Sequence, residues 1–312
     1  MPLPFALDHI NLWVLRDGDG FTLVDTGYGV EATWTLWERH FDVLLAGRRV
    51  RNVIVTHYHP DHLGSAEWLV SRTEAAFWMT LGEFLSGHAA HDDSGGFDRA
   101  TGLDFFARNG LDVAALPERM RQGNRFRFGV PEIPRQYRRL MDGDHITIDG
   151  HEWQVITVFG HAPEHAALWC ASKNVLISGD QVLPRITTNV GVWGNQPDSN
   201  PLALFLGSLG KFGHLPGDAL VLPSHDRVFR GLHPRIAELH DHHRRRLERL
   251  LEGCAEPLSA HDAIPLLFKR KLDDHQLMFA MGEAIAHLHY LQHEGALERV
   301  EDERGLRRFV RS

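Results

Sequence analysis

One short run, Thr56-His57-Tyr58-His59-Pro60-Asp61-His62-Leu63-Gly64, carries the densest chemistry in the chain: three imidazoles and a carboxylate within six positions. Such groups ligate metal ions. Side chains alternate along an extended segment, so His57 and His59 project to the same side and can meet one ion without backbone strain. Asp61 and His62 come after the Pro60 turn and can face a second position nearby. A lone His-x-His is common in surface loops; the complete His-x-His-x-Asp-His string directly after a strand points to metal binding instead. Histidine is also abundant, at 22 of 312 residues, and it is the commonest zinc ligand.

The elements around the string must deliver it to a cleft. Apolar, β-favouring runs at 10–15 and 21–24 flank Asp17-Gly18-Asp19-Gly20 and predict a hairpin. Trp34, Trp37, Phe41 and Leu44/Leu45 recur at helical spacing over 31–45. Residues 50–55 predict a buried strand, with the histidine string immediately after it and a helix starting around Leu63. Strand, helix, strand is an α/β pattern, and in open α/β folds ligands gather at the carboxyl ends of strands. Further strands are predicted at 145–148, 153–159, 166–170, 175–178 and 219–222. Residues 86–140 differ: the loop Asp92-Asp93-Ser94-Gly95-Gly96 and helices predicted at 103–109 and 113–123 read as a cap-like insertion. From 233 onward the pattern gives helices at 233–251, 259–271 (Ser259 as N-cap) and 273–293, then a hairpin of 296–300 and 306–310. Helices followed by a hairpin resemble a winged-helix module. The expected domains are therefore 1–232, catalytic, and 233–312, winged-helix-like. His240-Asp241-His242-His243, beside Arg244-Arg245-Arg246, reads as a solvated helix face.

The His57–His62 string resembles the signature of the metallo-β-lactamase superfamily, and three further pieces of that family's pattern follow in order. Gly160-His161-Ala162-Pro163-Glu164-His165, Ser178-Gly179-Asp180 and Pro223-Ser224-His225 each fall just past a predicted strand. The resemblance implies an α/β fold, an αββα sandwich, with the helical insertion and the C-terminal winged-helix-like module added to it. It also implies one metal site from His57, His59 and His161, a second from Asp61, His62 and His225, and Asp180 shared by both. Nitrogen and carboxylate donors without cysteine suit catalytic zinc, so two zinc ions are expected; iron or manganese also accept these donors. Asp25-Thr26-Gly27 matches the Asp-x-Gly that supports the ligand loop. The stretch from Gly179 to Ile186, followed by Asn189-Val190, looks like the LACTB2-like branch, which the C-terminal pattern also fits.

What the resemblance implies for chemistry is a binuclear hydrolase: a metal-bridging hydroxide, available near neutral pH, attacks a carbonyl carbon or phosphorus. Asp61 is the candidate to orient that nucleophile while ligating. Asp25 and His165 are candidates to hold ligand imidazoles in the right tautomer. Arg185, Asn189 and Trp193, in the loop after Asp180, are candidates for substrate contact.

Composition narrows the partners. The chain carries 43% hydrophobic and 24% charged residues, ordinary for a globular protein, and has no run of the length a membrane span needs. No secretory signal is visible, and two cysteines are too few for a disulfide framework, so a cytoplasmic enzyme is expected. Residues from Asp226 onward balance basic against acidic side chains, so the net charge of −8 resides in residues 1–225. An acidic catalytic domain disfavours a nonspecific grip on nucleic acid and favours a small-molecule substrate, which for the hydrolase that the resemblance implies is expected to be an ester, thioester or lactone. The LACTB2-like resemblance implies a rival, a metal-dependent endoribonuclease, which salt-sensitive RNA binding would reveal. An iron persulfide dioxygenase fits the complete second ligand set less well, and a non-catalytic nucleic-acid-binding protein would be expected to lack ligands. The resemblance is compatible with a homodimer.

Overall fold

Two strands and a tight turn open the chain. β1 (Trp13–Asp17) and β2 (Gly20–Val24) pair antiparallel, with Asp17 opposite Gly20. Gly18 takes the loop at φ 62, the positive φ that short hairpin turns demand and glycine adopts at little cost. β1 starts at Trp13 rather than at Ile10 because the preceding amides are used elsewhere: Ile10 N donates to Met1 O and Asn11 N to Ser224 O. β3 (Val50–Ile54), β4 (Ala76–Thr80) and β5 (Arg138–Leu140) then add in parallel, giving a sheet of order β1-β2-β3-β4-β5.

A second sheet has the order β10-β9-β8-β7-β6, from β6 (His145–Ile148), β7 (His151–Val158), β8 (His165–Cys170), β9 (Val175–Gly179) and β10 (Leu220–Pro223). Only its β9–β10 pair is parallel. Alternation along the strands of the first sheet stacks the layers. Leu23 and Val53 join Trp37 and Leu69, from the helices Glu31–Val43 and Ala66–Thr73, in one apolar cluster. Their neighbours Val24 and Ile54 join Trp153, Val155, Leu168 and Ile177 of the second sheet in another. A one-residue slip of β2 or β3 would exchange the two faces, so burial on both sides pins the register. Each such aliphatic side chain contributes about 1.5–3 kcal/mol when fully buried.

The computed structural model describes every residue except Ala6 and Leu44, so the Leu44 position of the predicted first helix lies outside the described residues. The chain divides into two compact units. The sandwich unit is Met1–Asp92, Arg125–Thr188 and Lys211–Arg235; the other is Asp93–Asn124, Asn189–Gly210 and Ile236–Ser312. Residues 86–140 are therefore not one piece. The helix Leu81–His91 and β5 belong to the sandwich unit, whereas the helix Arg99–Arg108 belongs to the other. The helix predicted at 113–123 is broken into the turns Val113–Ala115 and Glu118–Arg121. Pro117 biases the residue before it away from helical backbone, and Leu116 is extended.

The second unit gathers Phe106, Leu250, Ile264, Met281, Ile285 and Phe309 into its own core. Its helices Ala260–Leu267 and Asp274–His293 start with capping boxes, Ser259 with Asp262 and Asp273 with Gln276. The first of these stops at Leu267, short of the predicted 271, where Phe268 turns to extended backbone. A hairpin of β11 (Leu297–Glu301) and β12 (Arg307–Arg311) follows.

The long helix Leu232–Gly253 corrects the reading of residues 240–243 as a wholly solvated face. Leu239, His243, Arg246 and Leu250 are all buried, at the spacing of one helix face. His243 Nδ1 lies 3.0 Å from His287 Nε2, and Arg246 pairs with the buried carboxylate of Glu283. Among the described residues no helix is long and apolar enough to cross a membrane.

Candidate metal centre

Four loops, each following the carboxyl end of a strand of the sandwich unit, bring their polar side chains to one place. His57, His59, Asp61 and His62 follow β3, His161 follows β7, Asp180 follows β9, and His225 follows β10. His57 Nε2 lies 3.0 Å from His59 Nδ1 and 3.2 Å from His161 Nε2. His225 Nε2 lies 3.4 Å from Asp61 Oδ2 and 3.4 Å from Asp180 Oδ1. His62 Nε2 is 3.5 Å from the same Asp180 oxygen, while the other oxygen, Oδ2, is 3.4 Å from His161 Nε2. Asp180 thus faces both groups of imidazoles, one through each oxygen. Within each of the sets His57–His59–His161, His57–His62–Asp180 and Asp61–His62–His225 the candidate ligand atoms lie within 4.8 Å of one another.

The far ring nitrogens decide what the near ones can do. His225 Nδ1 lies 2.9 Å from the carbonyl oxygen of His9. A carbonyl only accepts, so Nδ1 carries a proton, and in the neutral ring Nε2 presents a lone pair to two carboxylates. His62 Nδ1 donates to Asp25 Oδ2 at 2.8 Å with the same consequence. Lone pairs facing lone pairs repel unless a proton or a cation stands between them. His62 Nε2 and Asp180 Oδ1 are moreover buried with no hydrogen-bond partner, a state that costs about 1–3 kcal/mol per group. A divalent cation at each of the sets His57–His59–His161 and Asp61–His62–His225, with Asp180 facing both, would satisfy these atoms together, so the residues present fit a two-metal centre.

Electrostatics divide the imidazoles in the absence of an ion. Burial and the neighbouring imidazoles hold His57 and His59 well below the usual histidine range. Burial acts the same way on His62, but Asp25, Asp61 and Asp180 outweigh it and raise the pKa well above that range. Burial would raise the Asp180 carboxyl, yet His225 and His62 hold it well below the ordinary carboxylate value.

The supporting shell is placed as follows. Asp25 adopts φ 63, and its carboxylate accepts from Thr56 N (2.8 Å) and Thr56 Oγ1 (3.0 Å) as well as from His62. His165 Nε2 accepts from Asp180 N at 3.2 Å, and burial lowers its pKa to about 3. Arg185 is exposed and pairs through Nε with Asp226 at 3.2 Å. Asn189 and Trp193 belong to the second unit. There the Asn189 amide lies 3.4 Å from Glu283 Oε2, and Trp193 packs edge-on against Phe106 and Phe279. Sequence reasoning missed Thr56, the His9 carbonyl and Glu83. Thr56 alone carried a signal, its position at the head of the string.

Comparison with known proteins identifies the family. Residues 6–252 match the family model described as the metallo-beta-lactamase superfamily, and residues 247–312 match a metallo-beta-lactamase-like C-terminal domain. A "Probable metallo-hydrolase YqjP" of Bacillus subtilis is 24% identical over 305 residues, covering 95% of this chain and 92% of that one. The crystal structure of a beta-lactamase domain protein from Burkholderia ambifaria has a TM-score of 0.93 at 46% identity, covering 100% of this chain and 91% of that one. A metallo-beta-lactamase family protein from Thermus thermophilus has a TM-score of 0.84 at 30% identity, covering 100% of this chain and 97% of that one. With this fold, this cluster and these relatives, the chain belongs to the metallo-beta-lactamase superfamily and is one of its metallo-hydrolases.

Proposed function

We propose that the centre holds two metal ions, zinc in the first instance, and hydrolyses a small ester, thioester or lactone. The observation that carries this reading is the pair of buried atoms without a hydrogen bond, His62 Nε2 and Asp180 Oδ1, at the junction of two ligand sets. His57, His59 and His161 would hold one ion, Asp61, His62 and His225 the other, and Asp180 both. The ions, when bound, acidify a water and polarise the substrate oxygen.

The chain's own residues then orient and hold. Asp61 Oδ2 faces His225, which leaves the second carboxylate oxygen to accept a hydrogen bond from the attacking water and aim it. Asp25 and the His9 carbonyl keep the Nδ1 protons of His62 and His225 in place, so both rings present the unprotonated nitrogen inward.

A small substrate is supported by the placement of the net charge of −8 in residues 1–225, which repels a polyanionic strand. Two helices and a hairpin at the C-terminus have the order of a winged-helix-like module and support a LACTB2-like relationship. Its longer helix is buried at twelve positions, from Met278 to Leu291, which supports a packing role over nucleic-acid reading. The buried free thiols of Cys170 and Cys254 support a reducing, cytoplasmic setting.

The test is a panel of thioesters, esters, lactones, phosphodiesters and short RNA, run with metal analysis of the purified protein. The expected result is turnover of a carbonyl ester or thioester that is lost on chelation and restored by zinc. Turnover confined to RNA, or protein that retains fewer than two ions at saturation, would overturn the reading.

A further inference from the structure

Glu83 is fully buried in the first turn of the helix Leu81–His91. Each of its carboxylate oxygens is taken by a main-chain amide of a different ligand loop. Oε2 accepts from Tyr58 N at 2.9 Å, and Oε1 accepts from Glu164 N at 2.6 Å. Tyr58 stands between His57 and His59, and Glu164 follows His161 by three residues. The contact is reciprocal. Glu164 Oε2 accepts from Gly82 N at 2.7 Å, and Thr80 Oγ1 donates to the Glu164 carbonyl at 2.7 Å. Gly82 has little room for a side chain, since a Cβ there would lie 3.0 Å from the Glu164 Cβ.

This interlock ties the His57–His59 end of the loop after β3 to the His161 loop; Asp61 and His62 lie further along the first of these loops. The loops that supply His57, His59 and His161 are tied through a single carboxylate, whereas His62 and His225 take their supports from Asp25 and from the His9 carbonyl. Burying a carboxylate is costly unless it is hydrogen-bonded. Two charge-assisted bonds to loop amides offset that cost and fix the spacing of both loops. An apolar residue of the same volume would take this acceptor away from both main-chain amides.

We propose that Glu83 is a positioning residue that sets the metal affinity of the His57–His59–His161 site by holding its two ligand loops together; this rests on the ligand assignment proposed above. Glu83→Gln tests it, because the amide keeps one acceptor and turns an N–H toward the other main-chain N–H, releasing one loop at constant volume. Zinc content is measured at equilibrium against a graded chelator. The affinity for one ion is expected to fall about 10- to 100-fold, with the other within about twofold of the parent. His161→Ala and His225→Ala serve as references for the two sites. If neither reference variant loses an ion, the ligand assignment itself has failed. If both references behave and Glu83→Gln keeps both ions at parental affinity, or weakens both equally, the role given to Glu83 is wrong. Hydrogen exchange on the metal-free parent protein gives a check that needs no variant. The Tyr58 and Glu164 amides are expected to be strongly protected, and free exchange at both overturns the proposal.

Discussion

His62 and His225 each commit one ring nitrogen to the scaffold and leave the other for an ion, and the partners that enforce this differ in kind. Asp25 is the more demanding one. A left-handed backbone costs a residue with a Cβ about 1–2 kcal/mol, and Asp25 at φ 63 accepts that cost while placing its carboxylate under Thr56 and His62. Asp25→Ala should therefore lower zinc affinity about 10- to 100-fold, read by chelator competition, because His62 loses its orienting acceptor. Asp61→Asn should behave differently. An amide oxygen can still ligate but is a poor acceptor for aiming a nucleophile, so most of the zinc should remain while kcat falls by about 100-fold or more. Full activity in Asp61→Asn would remove Asp61 from the chemistry. The histidine string was legible because all its donors are adjacent in sequence. The His9 carbonyl and Glu83 were not: a carbonyl has no residue signature, and Glu83 is a single acidic residue in the first turn of a helix, where such residues are ordinary.

At the level of elements, each ligand is placed by the way its strand ends. β9 closes on Gly179 at φ 55, and a Cβ there would lie 2.2 Å from His165 Nε2, the atom that receives the Asp180 amide. Gly179→Ala should lose about 1–3 kcal/mol from the backbone alone and displace Asp180 as well. The expected outcome is a lower melting temperature together with reduced zinc content, and an unchanged zinc content would show that His165 gives way instead. Eight of the ten sandwich strands were readable from apolar runs to within a few residues; β4 and β5 were not, β5 lying within the stretch read as a cap-like insertion. Residues 86–140 were harder to read. Their apolar residues are divided between two cores, so no single period runs through them. The face of the helix Leu232–Gly253 was misread for a related reason. His243 and Arg246 look solvent-bound by residue type, yet they sit at core positions because each finds a polar partner, His287 and Glu283.

For the molecule as a whole, chelation acts on the sandwich unit, and acid acts on the second unit as well. The ligand sets lie in the sandwich unit, so zinc at about a thousand times its dissociation constant should stabilise the folded chain by about 4 kcal/mol, seen as a fall in melting temperature when it is removed. Acid should act on the second unit even without metal. His287 Nδ1 donates to the Glu283 carbonyl at 2.7 Å, and its Nε2 accepts from His243 Nδ1, an arrangement that needs the His287 ring neutral. Burial, with the neighbouring imidazole next, lowers the His243 pKa to about 2; burial likewise pushes His287 well down and His289 to about 4. Once unfolded, these rings take up protons near pH 6.5, so below that value the unfolded chain binds more protons than the folded one. Stability is then complete above about pH 6.5 and falls as the pH drops toward the folded values, by about 1.4 kcal/mol per pH unit for each ring. Urea unfolding of the metal-free protein between about pH 5 and pH 8 measures the slope, and His243→Leu should flatten it by about one proton. A parental slope in that variant would mean that His243 already protonates within the folded chain, against the burial that lowers its pKa.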